Sequence, residues 1–318
     1  MDESTNAESE CIYVQIIPML RFVSERDITI EGCKIRRLGE DEKQKIRNSA
    51  ALKLAWPEAE RATFDFDFVI ESSLGEALLA DDIIAALRIF KPLAVSAFPH
   101  IGLEIRNGEI VHIHSAQFFA SLYDITNGSD YALSEKEAEE FEEFCKLFFK
   151  AISRAYMRTA INRFSNAYRK GFGGDRLVDY VIALEALFSE NSVEIGYKLR
   201  LRVPMFLGIR AEIDERIRIR EYVKTAYEIR SEIVHGSEDP VKLFPKKMKT
   251  LHSQLEKKLQ CKLAPINEQN FFSECFLPEI REITRKAIYG FITKRGSCLL
   301  DKSLILETID NAFLYTDR

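Results

Sequence analysis

The segment YEIRSEIVHGS, residues 227–237, places an arginine and a histidine five positions apart near the end of a predicted helix. The Arg230 guanidinium stays charged in a protein, so an apolar setting requires a carboxylate or an anionic ligand beside it. His235 precedes a glycine expected to end the helix, where the negative pole of the helix dipole favours the imidazolium form. Such an imidazole is suited to proton transfer near neutral pH.

A helical wheel at about 100° per residue shows how this helix would present the two side chains. One apolar stripe contains Ile219, Tyr222, Val223, Ala226, Ile229, Ile233 and Val234. Arg230 lies inside the stripe, about 40° from Ala226, and His235 lies about 140° further round. A second helix near residues 175–189 has its own apolar stripe, and that stripe contains Glu185. We therefore predict an ion pair between Glu185 and Arg230.

The spacing of arginine and histidine is weak evidence when taken alone. An Arg-x4-His spacing arises by chance in many chains of this composition, and a histidine that ends a helix is more often a cap than a catalyst. A pair of histidines on one strand face, His112 and His114, could hold a metal, but no residue nearby clearly completes a ligand set. No metal and no cofactor is expected.

The elements around these residues predict two kinds of structure. Alternating and apolar runs such as CIYVQIIPML and FDFDFVIE predict strands, and Asn107-Gly108 suits the turn of a hairpin. From about residue 134 helical patterns follow one another, beginning with the capping box Ser134-x-x-Glu137 in a helix predicted to reach about Arg169. Asp175 is predicted to cap the next helix. The fold class is therefore an α+β domain, residues 1–130, followed by an all-α helical bundle, residues 131–318.

Composition and charge describe an ordinary globular chain of 318 residues with a net charge of −5. By segment the charge is about −12 for residues 1–150, about +4 for 151–235 and about +3 for the remainder, so the middle could face a polyanion. No apolar run is long enough for a membrane span, and the acidic N-terminal segment does not resemble a secretory signal. The six cysteines form no C-x-x-C pair, which favours reduced thiols and a cytoplasmic location.

Three segments in this order, VIALEALFS, EIGYKLRLR…FLG and YEIRSEIVHGS, resemble the Apea-like branch of the HEPN superfamily. Members of this superfamily are helical bundles with a motif of arginine, four to six residues and histidine. The strong similarity covers about residues 175–237, and the helices on either side match only in being helical. The similarity gives residues 1–130 no function.

The resemblance implies a metal-independent endoribonuclease that works as a homodimer through its helical domain. By this resemblance His235 would act as general base or acid on the RNA 2′-hydroxyl and the leaving 5′-oxygen, and Arg230 would hold the scissile phosphate. Ser231 would bind the phosphate or orient the histidine, and Glu185 would support Arg230. Such enzymes serve in toxin–antitoxin and phage-defence systems, in which an N-terminal domain senses a trigger or binds an antitoxin.

Two features of the sequence leave a second interpretation open. The whole chain is acidic, and the basic residues that could follow RNA are spread along the sequence: Arg169, Lys170, Lys198, Arg200 and Arg202. Some domains of this superfamily bind nucleotides or act as scaffolds without detectable cleavage. The alternative is therefore a non-catalytic HEPN dimer that binds RNA or nucleotides or takes part in signalling.

Overall fold

A computed structural model describes the following residues: 11–20, 22–30, 32–48, 67–73, 77–92, 96–97, 100–106, 109–117, 131–191, 193–208, 212–236, 239–293 and 301–316. The chain divides into two compact units, Met1–Cys145 and Lys146–Arg318. Strands lie in the first unit and the second is helical, so the predicted order of an α+β part and a helical part is confirmed. The division falls inside one helix, further along the chain than the predicted boundary at residue 130.

The first unit contains a mixed set of strands and helices. Its strands are β1 (Cys11–Leu20), β2 (Phe22–Ser24), β3 (Ile28–Ile30), β4 (Cys33–Arg37), β5 (Phe68–Ser73), β6 (Ser96–Ala97), β7 (His100–Arg106), β8 (Glu109–Gln117) and β9 (Tyr131–Leu133). Its helices are α1 (Glu40–Asn48), α2 (Ala77–Phe90) and the first part of α3 (Glu135–Ile152).

Within the described residues the larger sheet has the order β3-β4-β5-β1-β7-β8, with β6 paired to β1, and all of these pairs are antiparallel. The predicted hairpin is confirmed by the pairing of β7 with β8. Its turn, Asn107-Gly108, lies outside the described residues, as do Phe64 and Phe66 of the predicted alternating strand. A separate parallel pair joins β2 to β9.

The predicted capping box at the start of α3 is present. The backbone N–H of Ser134 donates to the Glu137 carboxylate at 3.0 Å, and the backbone N–H of Glu137 donates to Ser134 Oγ at 3.3 Å. These two bonds satisfy donors that the first turn of a helix leaves without partners. The local pattern therefore sets where α3 begins.

The second unit is a bundle of helices that follow one another along the chain. They are the end of α3, α4 (Ala155–Ala167), α5 (Gly173–Phe188), α6 (Ile195–Gly208), α7 (Ile213–His235), α8 (Pro240–Leu259), α9 (Glu268–Phe271), a π-helical turn (Phe272–Phe276), α10 (Leu277–Thr293) and α11 (Lys302–Thr316). Helix α10 packs against α4, α5, α6 and α7. At their crossing the rings of Phe188, Phe206 and Phe291 lie 4.8–5.5 Å apart, centre to centre.

Two predictions about helix boundaries are wrong. The helix expected to run to Arg169 ends at Ile152, because Ser153 Oγ donates to the Lys150 carbonyl and Arg154 has an extended backbone. Asp175 does not cap α5, since the helix begins two residues earlier and the capping position is Phe172. Asp175 instead lies in the first turn, where a carboxylate still complements the helix dipole. Helix α6 continues through Pro204.

Candidate functional site

Helix α7 carries Arg230 and His235 and ends as the sequence predicts. Asp214 and Glu215 lie in its first turn, where negative charge complements the helix dipole. Its buried side includes Ile219, Val223, Ala226 and Ile229, while Ile233 and Val234 at the end of the predicted stripe are more exposed. Gly236 follows in the left-handed conformation, with φ of 64° and ψ of 30°, and its N–H bonds to carbonyls of the last turn.

Arg230 and Glu185 form the predicted ion pair. Arg230 Nη2 lies 3.3 Å from Glu185 Oε2, so α5 and α7 are joined by a single charge-assisted hydrogen bond. The two side chains are 22% and 14% exposed, which places the pair near the boundary between core and solvent. Glu185 is therefore the carboxylate that compensates the arginine, as the two apolar stripes predict.

The pair is incompletely satisfied among the described residues. Burial raises the pKa of the Glu185 carboxyl above its ordinary value, and the Arg230 charge lowers it by less. Glu185 Oε1 and Arg230 Nε are buried and have no hydrogen-bond partner within the described part of the chain. Glu185 thus uses one guanidinium nitrogen, and the 22% of the Arg230 side chain that is exposed is the part that an anionic oxygen could reach.

The three segments that carry the family resemblance meet at Tyr227. Arg230 Cζ lies 6.0 Å from the centre of the Tyr227 ring, within reach of a cation–π contact. On the other side, a Cβ added to Gly196 would lie 2.7 Å from Tyr227 Cε1, so the ring packs directly on that glycine. Glu185, Gly196 and Arg230 each belong to a different one of the three segments. Tyr227 was not predicted, although its position one helical turn before Arg230 could have indicated it.

His235 occupies the exposed end of α7. Among the described residues neither a hydrogen bond nor an ion pair joins its ring to Arg230 or to an orienting carboxylate. Its position at the last residue of the helix leaves the ring open to solvent and to a ligand. Arg230 and His235 are therefore brought to one end of one helix, but not into direct contact.

Ser231 lies in a concave site on the side of α7 that faces α8. This concavity has a volume of about 380 Å³ and is lined by Tyr227, Glu228, Ser231, Glu232 and Lys247. Lys247 Nζ lies 3.2 Å from a Glu228 oxygen and 3.5 Å from a Glu232 oxygen. Two carboxylates already neutralise the one lysine here, so the concavity does not favour an anion. Tyr227 lines this concavity together with Ser231 and also lies beside Arg230.

The prediction that Arg202 binds RNA is wrong. Its side chain is buried and forms hydrogen bonds with Asp310, Glu190 and the carbonyl oxygen of Phe188. Its charge is thus compensated by two carboxylates, and their proximity raises the pKa of the guanidinium further. Arg202 therefore ties α6 to α11 and to the end of α5. It has no exposed donor side for a phosphate.

The other basic residues named from the sequence differ in their surroundings. Lys198 is half-buried, and its Nζ donates to Asn191 Oδ1 at 2.6 Å. Arg169 and Lys170 are exposed in the turn between α4 and α5. Of the basic residues named from the sequence, those in this turn are the more exposed to a polyanion.

The described residues contain no group of three or more histidine, cysteine, aspartate or glutamate side chains that could hold a metal ion. His112 and His114 lie on β8, but their side chains are outside what the structure describes. Among the described helices none is long and apolar enough to cross a membrane.

No protein-family model, no curated protein and no solved structure matches this chain. Its place in the HEPN superfamily therefore stays a prediction that depends on the three sequence segments.

Proposed function

We propose that this protein is a metal-independent endoribonuclease of the HEPN type. One observation carries the proposal: Arg230 is fixed by Glu185 on the helix that ends, five residues later, at the exposed His235. The arginine supplies hydrogen-bond donors for a phosphate, and the histidine supplies an imidazole, a group that can accept and donate a proton. Cleavage of RNA through its own 2′-hydroxyl requires these two functions and no external nucleophile.

The proposed reaction is an internal displacement at phosphorus. His235 removes the proton from the 2′-hydroxyl, the 2′-oxygen forms a bond to phosphorus, and the bond to the 5′-oxygen breaks. The protonated His235 then donates that proton to the leaving 5′-oxygen, and a 2′,3′-cyclic phosphate remains. Arg230 stabilises the negative charge on the phosphoryl oxygens. We propose that the enzyme works as a cytoplasmic homodimer in a toxin or phage-defence role, with the α+β part binding a trigger or an antitoxin.

The test is cleavage of an end-labelled RNA in the presence of EDTA. The parent protein is expected to release fragments with 2′,3′-cyclic phosphate ends, and His235→Ala is expected to slow cleavage by about 10²–10⁴-fold. His252→Ala is a matched control, because His252 is another helix histidine, bonded to the Ala264 carbonyl. Unchanged cleavage by His235→Ala, or equal losses in both variants, would show that the assignment is wrong.

A specific observation favours a second function. Catalytic histidines are usually oriented by a hydrogen bond to a carboxylate or carbonyl, and His235 has no such partner among the described residues. A non-catalytic dimer that binds RNA or nucleotides needs no oriented base. The same EDTA experiment separates the two functions: RNA binding without any cyclic phosphate product supports the scaffold.

A further inference from the structure

Three phenylalanine rings form a stack that reaches the surface at the start of α5. The centres of Phe172 and Phe244 are 6.0 Å apart with 24° between the ring planes. Those of Phe244 and Phe272 are 3.9 Å apart with 10° between the planes. Phe272 is buried, Phe244 is half-buried and Phe172 is 47% exposed. The outermost ring of this phenylalanine stack therefore has a half-buried ring and then a buried ring behind it, and solvent in front.

The phenylalanine stack lies at the same end of the bundle as His235. A Cβ placed on Gly174 would lie 2.4 Å from Phe172 Cε1 and 3.1 Å from Ile233 Cδ1. Phe172 and Ile233 therefore approach each other over one glycine. Ile233 lies in the last turns of the same helix, three residues after Arg230 and two before His235, so the exposed ring lies against the end of α7 that carries the proposed site.

Two exposed basic residues come shortly before the exposed ring along the chain. Arg169 and Lys170 are exposed and precede Phe172 by three and two residues. Arg176 Nε donates to the Lys170 carbonyl at 2.9 Å, which fixes the turn to the first part of α5. An open aromatic ring next to positive charge is the arrangement with which proteins bind single-stranded nucleic acid, since the ring stacks on a base and the cations contact phosphates.

We propose that Phe172 is a stacking platform for one base of single-stranded RNA and that Arg169 and Lys170 contact the adjoining phosphates. This rests on the proposed function, because it gives the RNA a path beside His235. A phenyl ring has no hydrogen-bonding groups, so the platform accepts any base. It holds a nucleotide near the scissile bond without selecting its sequence.

The test compares two ligands of equal length and charge, a labelled RNA and its abasic counterpart. Binding is measured by fluorescence anisotropy with the full chain carrying His235→Ala, so that the RNA stays intact. Adding Phe172→Leu, which keeps an apolar side chain on Phe244, is expected to weaken binding of the RNA about tenfold and to leave the abasic ligand unchanged. Phe172→Tyr keeps an aromatic ring and is therefore expected to bind the RNA as tightly as the protein with Phe172. Lys170→Gln weakens both ligands alike, because it removes a phosphate contact.

A second variant keeps the ring but moves it. Gly174→Ala forces Phe172 away, since the new methyl group would overlap the ring. We expect it to reproduce the selective loss of RNA binding. Equal losses on both ligands with Phe172→Leu would overturn the platform. A lower oligomeric state of Phe172→Leu with unchanged RNA affinity would also overturn the platform, because the ring would then contact a second copy of this chain.

The outcomes separate this inference from the proposed function. If the parent protein cleaves RNA and Phe172→Leu leaves affinity unchanged, the platform is refuted and the ribonuclease stands. If binding depends on Phe172 but the parent produces no cyclic phosphate, the ribonuclease is refuted and the platform stands as a binding site. If the chain does not bind RNA at all, both are refuted.

Discussion

Replacing Arg230 with leucine is expected to destabilise the bundle in a way that depends on pH. The substitution removes the cation that lies 3.3 Å from Glu185 and leaves a carboxylate that is only 14% exposed. A buried charge without a partner either destabilises the folded state or becomes neutral by taking up a proton. The size of the loss should therefore follow the protonation of Glu185.

The magnitude follows from the separation and the burial of the two charges. At about 4 Å and an effective dielectric constant of about 20, the attraction is about 4 kcal/mol, and desolvation offsets part of it. Breaking a fully buried pair costs about 3–5 kcal/mol, and both side chains here keep some contact with solvent. We expect Arg230→Leu to lower the free energy of unfolding by about 2 kcal/mol at pH 8. Removing both charges, Arg230→Leu with Glu185→Leu, should recover more than half of this.

The pH dependence follows from the raised pKa of Glu185. Because the folded-state pKa lies above the ordinary value of 4.5, deprotonation costs the folded state more than the unfolded state. The raised pKa of Glu185 therefore contributes to the free energy of unfolding an amount that is fully present below pH 4.5. This amount is lost as the pH rises through the folded-state pKa. Without Arg230, no charge among the described residues opposes the rise in the pKa of Glu185 that burial causes. The loss of stability with rising pH then becomes larger. The destabilisation by Arg230→Leu should therefore be smaller at pH 5 than at pH 8.

The free energies can be measured by backbone hydrogen exchange in peptides from α5 and α7, which report the opening of these helices separately from the first unit. Arg220→Leu is the matched control, since Arg220 is an exposed arginine on the same helix and its loss should change stability by less than about 0.5 kcal/mol. Equal destabilisation by Arg230→Leu at both pH values would contradict the prediction. So would a double variant whose loss of stability equals the sum of the losses in Arg230→Leu and Glu185→Leu.

Two further predictions concern the surroundings of the site. Arg202→Met should lower the free energy of urea unfolding by about 1–2 kcal/mol, because the Phe188 carbonyl, Glu190 and Asp310 lose a buried guanidinium while the two carboxylates, 40% and 42% exposed, stay solvated. Lys198→Met should change it by less than about 0.5 kcal/mol, and equally small effects in both variants would contradict the structural role of Arg202. Gly236→Ala should lower the free energy of thermal unfolding by about 1 kcal/mol, because the φ of residue 236 is 64°, a left-handed value that alanine rarely adopts. Gly236→Asn should lower it about half as much. An alanine variant as stable as the parent would contradict the left-handed end of α7.

Local patterns were sufficient to predict much of the fold. The apolar run CIYVQIIPML predicted β1, Asn107-Gly108 predicted the β7–β8 hairpin, and the glycine after His235 predicted the end of α7. The sheet order could not be predicted, because β1 pairs with both β5 and β7 through registers that no local pattern encodes. The π-helical turn was also missed, since one altered turn leaves the apolar periodicity of the surrounding helix almost unchanged.

The candidate site was predictable only in part, for a similar reason. A charge inside an apolar stripe requires a partner, so Glu185 and Arg230 could be paired from two helical wheels. Arg202 was assigned to RNA because basic residues are usually exposed, and its partner Asp310 lies 108 positions away. Phe172 was overlooked, since its place at the surface depends on the packing of Phe244, far along the chain.

The unequal surroundings of Arg230 and His235 have a consequence for the history of such a chain. The side chain of His235 makes no hydrogen bond or ion pair with the described residues of the bundle. A single substitution can therefore remove this side chain with little effect on folding. Arg230 is tied to Glu185, and its loss leaves a charge behind unless a second change follows. Sequence drift would thus remove His235, the proposed base, first and keep the arginine. Descendants that had lost the proposed chemistry would still fold and would still carry the Arg230 cation at the end of α7.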